Sequence, residues 1–451
     1  MTEQIDVIIV GAGVAGLSAA AELRRSGLRC VVLEATARIG GRAFTDTPAV
    51  LGGAAFDHGA SWLHAAGRNP LVPIARAHGE VVSLSDSSAA RRVIIDGRQA
   101  TPAELAEYDA AHDRFCTYGA ALAAGPDDPG FGPAFAPLAA APWTPTIAFW
   151  EASLIAAADP ACFSLQDWHL NQLDGENMSV AGGIGAFVAR RLGPPAGDIE
   201  LATPVRRLSW RDGITAATPR GVWSARAAIV TVSTGVLAAG GIRFEPGLPD
   251  AVRDAVQALP MGLLTKVAMP VLGADRRHVD TPHVDRLDVD RLDVDRLDID
   301  RLGLPDRCSL QRRLAPGEPG MFFQAWPRGE NHVVGFVGGP MAWELSRAGP
   351  AATEAFARDQ WRLCLGADAD RILGPAIVTN WAADPAFLGA YAYATPGNAD
   401  ARRRLGMPLA EGRLIFAGEA VCTDGLAGTV GGAWLSGRQA ARDITATLVP
   451  A

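Results

Sequence analysis

Apolar and polar positions fall into short blocks of changing period over the first eighty residues. Asp6 to Val10 is a mostly apolar run closed by glycine, the pattern of a strand buried on both faces. Val14 to Ser26 takes the helical period, and Cys30 to Glu34 returns to a short apolar strand. Strand, glycine turn, helix and strand in this order predict an α/β fold. Further on, Ala103 to Ala123 reads as an alanine-rich helix, and Pro126 to Pro145, dense in Pro and Gly, as a surface connection. Strands are predicted at Val205 to Trp210, Gly221 to Ser224 and Ala228 to Val232. The run from Gly412 to Leu448 reads strand, loop, helix. Residues 284–302 repeat with a period of five, VDRLDVDRLDVDRLDIDRL. Five fits neither the strand period nor the helical one, so no face of either could stay apolar. The segment reads as a solvated excursion or, alternatively, a strip for a partner; nearby His278 and His283 read as solvated rather than as metal ligands.

Composition narrows the classes. With 451 residues, 49% hydrophobic and 20% charged, the chain can bury a large core. A net charge of −8 without a basic cluster argues against nucleic acid as partner. Apolar stretches are broken before they could span a bilayer, so no membrane anchor is expected. Six scattered cysteines without a CxxC pair predict reduced, mostly buried thiols, a cytoplasmic location and no metal site.

The chemistry begins at VIIVGAGVAGLSAAAELRRSG. Gly11, Gly13 and Gly16 have G-x-G-x-x-G spacing, with Ala15 between the last two, directly after a strand and at the opening of a helix. Gly11 permits the turn, Gly13 lets the backbone reach a pyrophosphate, and Gly16 lets helix and sheet approach. The helix start aims free N–H groups at phosphates. Glu34, followed by Ala35, closes the second strand about 20 residues beyond the turn, where a carboxylate accepts a ribose hydroxyl. Next comes ATARIGGRAFTD, with Gly40 and Gly41 between Arg38 and Arg42. Such a turn resembles that of FAD enzymes of the glutathione-reductase-like superfamily, and Arg42 can donate to two phosphate oxygens at once.

Three further blocks make the resemblance specific. FDHGASWLHAAGRNPL (Phe56 to Leu71), TPVRRLSW with ARAAIVTVSTGVL, and LIFAGEAVCTDGLAGTVGGAWLSGRQAARDI resemble the flavin-containing amine oxidases: monoamine, polyamine and L-amino-acid oxidases. The resemblance implies that Gly59, Ala60, Ser61 and Trp62 line the flavin ring and that Val205 meets the adenine end. Gly418 and Glu419 would approach the ribityl and phosphate region, and Thr429 and Val430 the pyrimidine edge. It also implies a discontinuous Rossmann-like FAD-binding domain (1–79, 178–262 and 396–451). A mixed-sheet α+β substrate domain (80–177 and 263–395) completes the chain, with 279–302 as a low-complexity insertion. Ser233 stands where the family usually has proline.

Lys+Arg total 41, yet only Lys266, in LPMGLLTKVAM, is a lysine. A buried lysine can be shifted toward neutrality and can hold a water, which an arginine cannot do. Its block resembles the family segment in which a lysine holds a water beside the flavin's reactive nitrogen. Tyr391, in LGAYAYATPG, resembles an aromatic facing the ring; a satisfied core tyrosine is the alternative. The monoamine oxidases pair it with a second tyrosine, where this chain has Thr429. Ala390 stands in place of their tethering cysteine, which predicts non-covalent FAD. His64 either stands near the substrate amine or fixes a loop, and Trp381 either packs by the flavin or serves the core. Trp168, His169, Asp174 and Glu176 fall in or near the expected substrate domain. The function expected is an FAD-dependent amine oxidase with oxygen as acceptor. The alternatives are a desaturase or protoporphyrinogen-oxidase-like dehydrogenase, and a non-catalytic flavin-bound interaction protein.

Overall fold

The computed structural model describes residues 5–85, 90–211, 213–273, 302–305 and 307–449. All of the insertion expected at 279–302 except Leu302 lies outside these, as do His278 and His283. The fold is α/β, built on two large sheets.

In the first sheet the strand Ile5–Val10 lies parallel between Cys30–Leu33 and Gly221–Val230. Val7 and Ile9 enter one core cluster, while Ile8 and Val10 enter the cluster on the opposite face. Successive side chains of a strand point to opposite faces, so only an unbroken apolar run suits a sheet covered on both sides. Each of these buried side chains contributes about 1.5–3 kcal/mol. The helix Val14–Arg25 covers one face, where it meets the C-terminal helix Val430–Leu448. There Ser18 Oγ donates to Trp434 O at 3.0 Å, and Arg438 pairs with Glu22.

The two strands expected at Gly221–Ser224 and Ala228–Val232 form one, Gly221–Val230. Its first half pairs with Ile214–Thr218 and its last three residues with Leu414–Phe416, while Ile5–Val10 on the other side pairs from Ala225 to Val230 and carries the strand across the gap. The stretch 126–145 is likewise more ordered than a surface connection. Phe131–Phe135 is helical because Phe131 and Phe135 are buried against Phe115 and Trp168. Apolar anchors overrode the Pro and Gly signal there.

The second sheet has seven strands and is mixed. Leu264–Pro270, next to the edge strand Ile377–Val378, pairs antiparallel with His332–Gly338, and Cys308–Arg312 runs parallel to Arg91–Ile95. The helix Pro102–Ala123, closed at its start by a Thr101–Glu104 capping box, shares a buried cluster with Val93 and Ile95. Four cysteines are buried, Cys116 is half-buried and Cys162 exposed, and all six are free. No described helix is long and apolar enough to cross a membrane.

Candidate active site

The glycine turn opens one end of a cavity of about 350 Å³. Gly11 has φ +105°, a conformation that favours glycine, and a Cβ on Gly16 would stand 1.9 Å from Gly11 O. Gly13 has open space where a Cβ would project, and no side chain caps the helix that follows it. The first N–H groups of that helix therefore remain for an incoming acceptor. Glu34 is buried; its Oε2 accepts from Ala12 N at 2.6 Å and its Oε1 from Thr36 N at 2.8 Å. These bonds aim the carboxylate across the turn. A pyrophosphate and ribose fit this cradle.

Every site residue expected from the sequence lines this cavity except Gly16 and Arg38. Gly16 lies under the turn, as its packing role demands. Arg38 turns away: it donates to Gly41 O at 2.7 Å and stacks 4.1 Å over Phe44. Arg42, expected at the pyrophosphate, donates to Ala390 O at 2.6 Å and pairs with Glu419 at 3.0 Å. Thr429 caps the C-terminal helix by accepting from Gly432 N at 3.1 Å. Ser233, in the usual proline position, caps the helix Thr234–Ala238 and donates to Phe387 O at 2.6 Å.

At the other end Lys266 projects from Leu264–Pro270, the strand next to one edge of the second sheet. Its Nζ donates to Asp57 O at 2.7 Å and to Gly59 O and Ser61 Oγ, both at 2.5 Å. Burial lowers its pKa from the usual lysine value to about 7, with Asp57 acting against that shift and Arg328 with it. Tyr391 Oη donates to Leu154 O at 2.9 Å, while Trp381 Nε1 donates to His58 O at 3.0 Å. Both rings are thereby held in place on the cavity wall. His64 Nδ1 lies 2.8 Å from Asn177 Oδ1, so this histidine lines the cavity and also fixes a loop.

Sequence reasoning missed four charged residues here. Glu151 lines the cavity from the π-helical turn Phe149–Ile155, holding His112 Nε2 at 2.8 Å and Trp168 Nε1 at 2.9 Å. His112, Cys116 and Glu151 have ligand atoms within 4.8 Å of one another, the one such group among the described residues. Contact with Cys116 and Glu151 favours the charged form of His112. Asp167 and Arg402 form a buried pair at 2.7 Å, with Arg402 also donating to Ala392 O and Ala420 O. Of the candidates flagged nearby, Trp168 lines the cavity, whereas His169, Asp174 and Glu176 do not.

A family model described as flavin containing amine oxidoreductase matches residues 14–445. The chain belongs to that family. FAD is the cofactor this membership implies, and the Gly13 cradle and Glu34 suit it. Polyamine oxidase 4 of Oryza sativa subsp. japonica is 28% identical over 96% of this chain and 87% of its own length. Lysine-specific histone demethylase 1 homolog 2 of the same subspecies is 29% identical over 97% of this chain, which spans only 56% of that protein. Wild-type putrescine oxidase bound to putrescine shares the fold, with a TM-score of 0.73 and 21% identity, covering 98% of this chain and 99% of that one.

Proposed function

We propose that this flavoprotein is an amine oxidase that converts a CH–NH donor to an imine and reduces oxygen to hydrogen peroxide. The observation that carries the reading is the placement of Lys266 and Tyr391 on the same cavity as the phosphate cradle at Gly11–Gly13. FAD bound there supplies the acceptor for the amine's hydride and the route of its two electrons to oxygen. On this reading the FAD-binding domain comprises 1–79, 178–262 and 396–451, and the substrate domain 80–177 and 263–395.

The chain's own residues then bind, orient and move a proton. Glu34 takes a ribose hydroxyl, and the open helix start beside Gly13 takes the pyrophosphate. Tyr391, held by Leu154 O, offers an aromatic face against which a neutral amine is oriented. Lys266, buried and near neutrality, holds and transfers a proton at Nζ. Ala390 offers only a methyl group, with no nucleophile to tether the cofactor, so FAD is held without a covalent bond. The polyamine and putrescine oxidases among the similar proteins point to small amines as the donor class. Anaerobic mixing with a panel of amines and amino acids should bleach the flavin with at least one donor, and a peroxide assay should then detect product. A panel that leaves the flavin oxidised throughout would remove the amine reading.

A further inference from the structure

Lys266 faces a second space. A small cavity of about 40 Å³ lies on its other side, and Ser61, Trp62 and Lys266 line both cavities. These three side chains are the partition between two chambers. The small one is bounded by Asp57, Arg328 and His332, and it exceeds the roughly 10–15 Å³ that one water requires. His332 is 1% exposed, and its Nδ1 has no hydrogen-bond partner among the described residues. A buried ring nitrogen without a protein partner, beside a polar void, is a position that water satisfies.

Arg328 is held in this chamber with unusual firmness. It donates to Asp57 Oδ2 at 3.4 Å, to Glu330 Oε1 at 3.3 Å and to Ala55 O. Its backbone has φ +55°, and that of Trp326, two residues earlier, φ +56°. Left-handed conformations at two bulky residues persist only where surrounding contacts impose them, and such strain gathers at functional sites.

We infer that the small chamber holds water and forms the proton route of Lys266, with Arg328 as a positioning residue whose charge adds to burial in disfavouring the ammonium form. This rests on the proposed amine oxidase reading in one respect, the need for a proton. When an amine loses its C–H bonding pair as hydride, the iminium nitrogen sheds one proton. Oxygen, having taken the hydride's two electrons and its proton, needs one more to leave as hydrogen peroxide. An amine in the large cavity separates Lys266 from solvent on that side, and the small chamber serves it from behind. The charged groups facing the lysine are Asp57 and Arg328, with Glu330 and His332 behind them, Arg307 also lining the small chamber, and the rings of Trp62 and Phe336 at 5.9 and 5.6 Å. Burial, followed by Arg328, lowers the His332 pKa to about 4, so the imidazole is neutral near pH 7 and offers water one donor and one acceptor nitrogen.

A chain with one lysine yields a single Nζ resonance when lysine is labelled with ¹⁵N, in the FAD-loaded protein and without any substrate. The wild-type resonance should titrate near neutrality and show magnetisation transfer from water. Arg328→Gln should raise the midpoint by about one pH unit, because a fixed like charge is removed. His332→Phe, which fills the chamber, should abolish the transfer from water. If Arg328→Gln does not fold, Glu330→Gln removes a carboxylate that offsets Arg328, and the midpoint should fall instead. A wild-type midpoint near the ordinary lysine value, midpoints unmoved by these variants, or water transfer that survives His332→Phe would each overturn the inference. If the resonance behaves as expected while no amine bleaches the flavin, the chamber stands and the proposed activity falls.

Discussion

Arg42 and Glu419, 377 positions apart in the chain, form a 3.0 Å ion pair in the wall of the large cavity. The pair joins the segment after the glycine turn to the one that leads into the C-terminal helix. Arg42→Met would leave the buried Glu419 carboxylate with the amide of Ala392 as its one donor among the described residues. Removing one partner of a buried pair costs about 3–5 kcal/mol. The cost should be smaller here, because the Arg42 side chain is 23% exposed. The thermal midpoint should therefore fall in Arg42→Met and recover in part when Glu419→Gln is added. Equal midpoints for the single and double variants would show that the carboxylate left without its arginine is not what destabilises Arg42→Met.

Lys266→Met should keep FAD yet slow amine oxidation or reoxidation by oxygen by roughly tenfold or more, the lower end of what a positioned proton-transfer group supplies. Rapid-mixing half-reactions measure this directly, and near-wild-type rates in both would refute it.

The same variant should change stability in a pH-dependent way. Burial lowers the Lys266 pKa from 10.5 to about 7, so between these values the unfolded chain binds more protons than the folded one. Wild-type stability relative to Lys266→Met should then climb as pH rises from about 7 to 10.5. Below 7 the penalty of a buried ammonium is present in full, and above 10.5 it is gone. Denaturant unfolding of both proteins at pH 6 and pH 10 tests the sign.

Gly437→Ala should be poorly tolerated. Its Cβ would stand 2.1 Å from Ala15 O, where the C-terminal helix crosses the first helix. Alanine favours a helix interior by about 1 kcal/mol over glycine. Overpacking costs about 1–3 kcal/mol, and more against a backbone oxygen that cannot turn aside. A lower melting temperature and weaker FAD retention are expected. A melting temperature at or above wild type would contradict the crossing.

Acid precipitation should release the yellow cofactor into the supernatant, since Ala390 offers no thiol for a covalent link. Colour that stays with the pellet would contradict this.

The readable parts of the site were those whose chemistry is local. Gly11, Gly13, Gly16 and Glu34 lie within one strand–helix–strand unit, and a turn about glycines is a property of neighbouring backbone. Lys266 was conspicuous because it is the chain's one lysine. Arg402 had no such mark: it sits in a run of three arginines, and its partner Asp167 is 235 positions away. Arg328 and Asp57 are 271 positions apart, and His112 and Glu151 lie on separate helical segments. Nothing in spacing or composition couples such charges.

Read alone, the chain predicts a glycine turn suited to phosphate and its α/β character, because steric limits on backbone turns and the two-residue repeat of strands act over short distances. The partners of its buried charges were assigned only when distant segments of chain came together. Burial makes an unpaired charge costly, and which charges meet depends on contacts between segments hundreds of residues apart. The small chamber behind Lys266 belongs to the second kind, since its walls come from six separate stretches of chain that no local rule brings together.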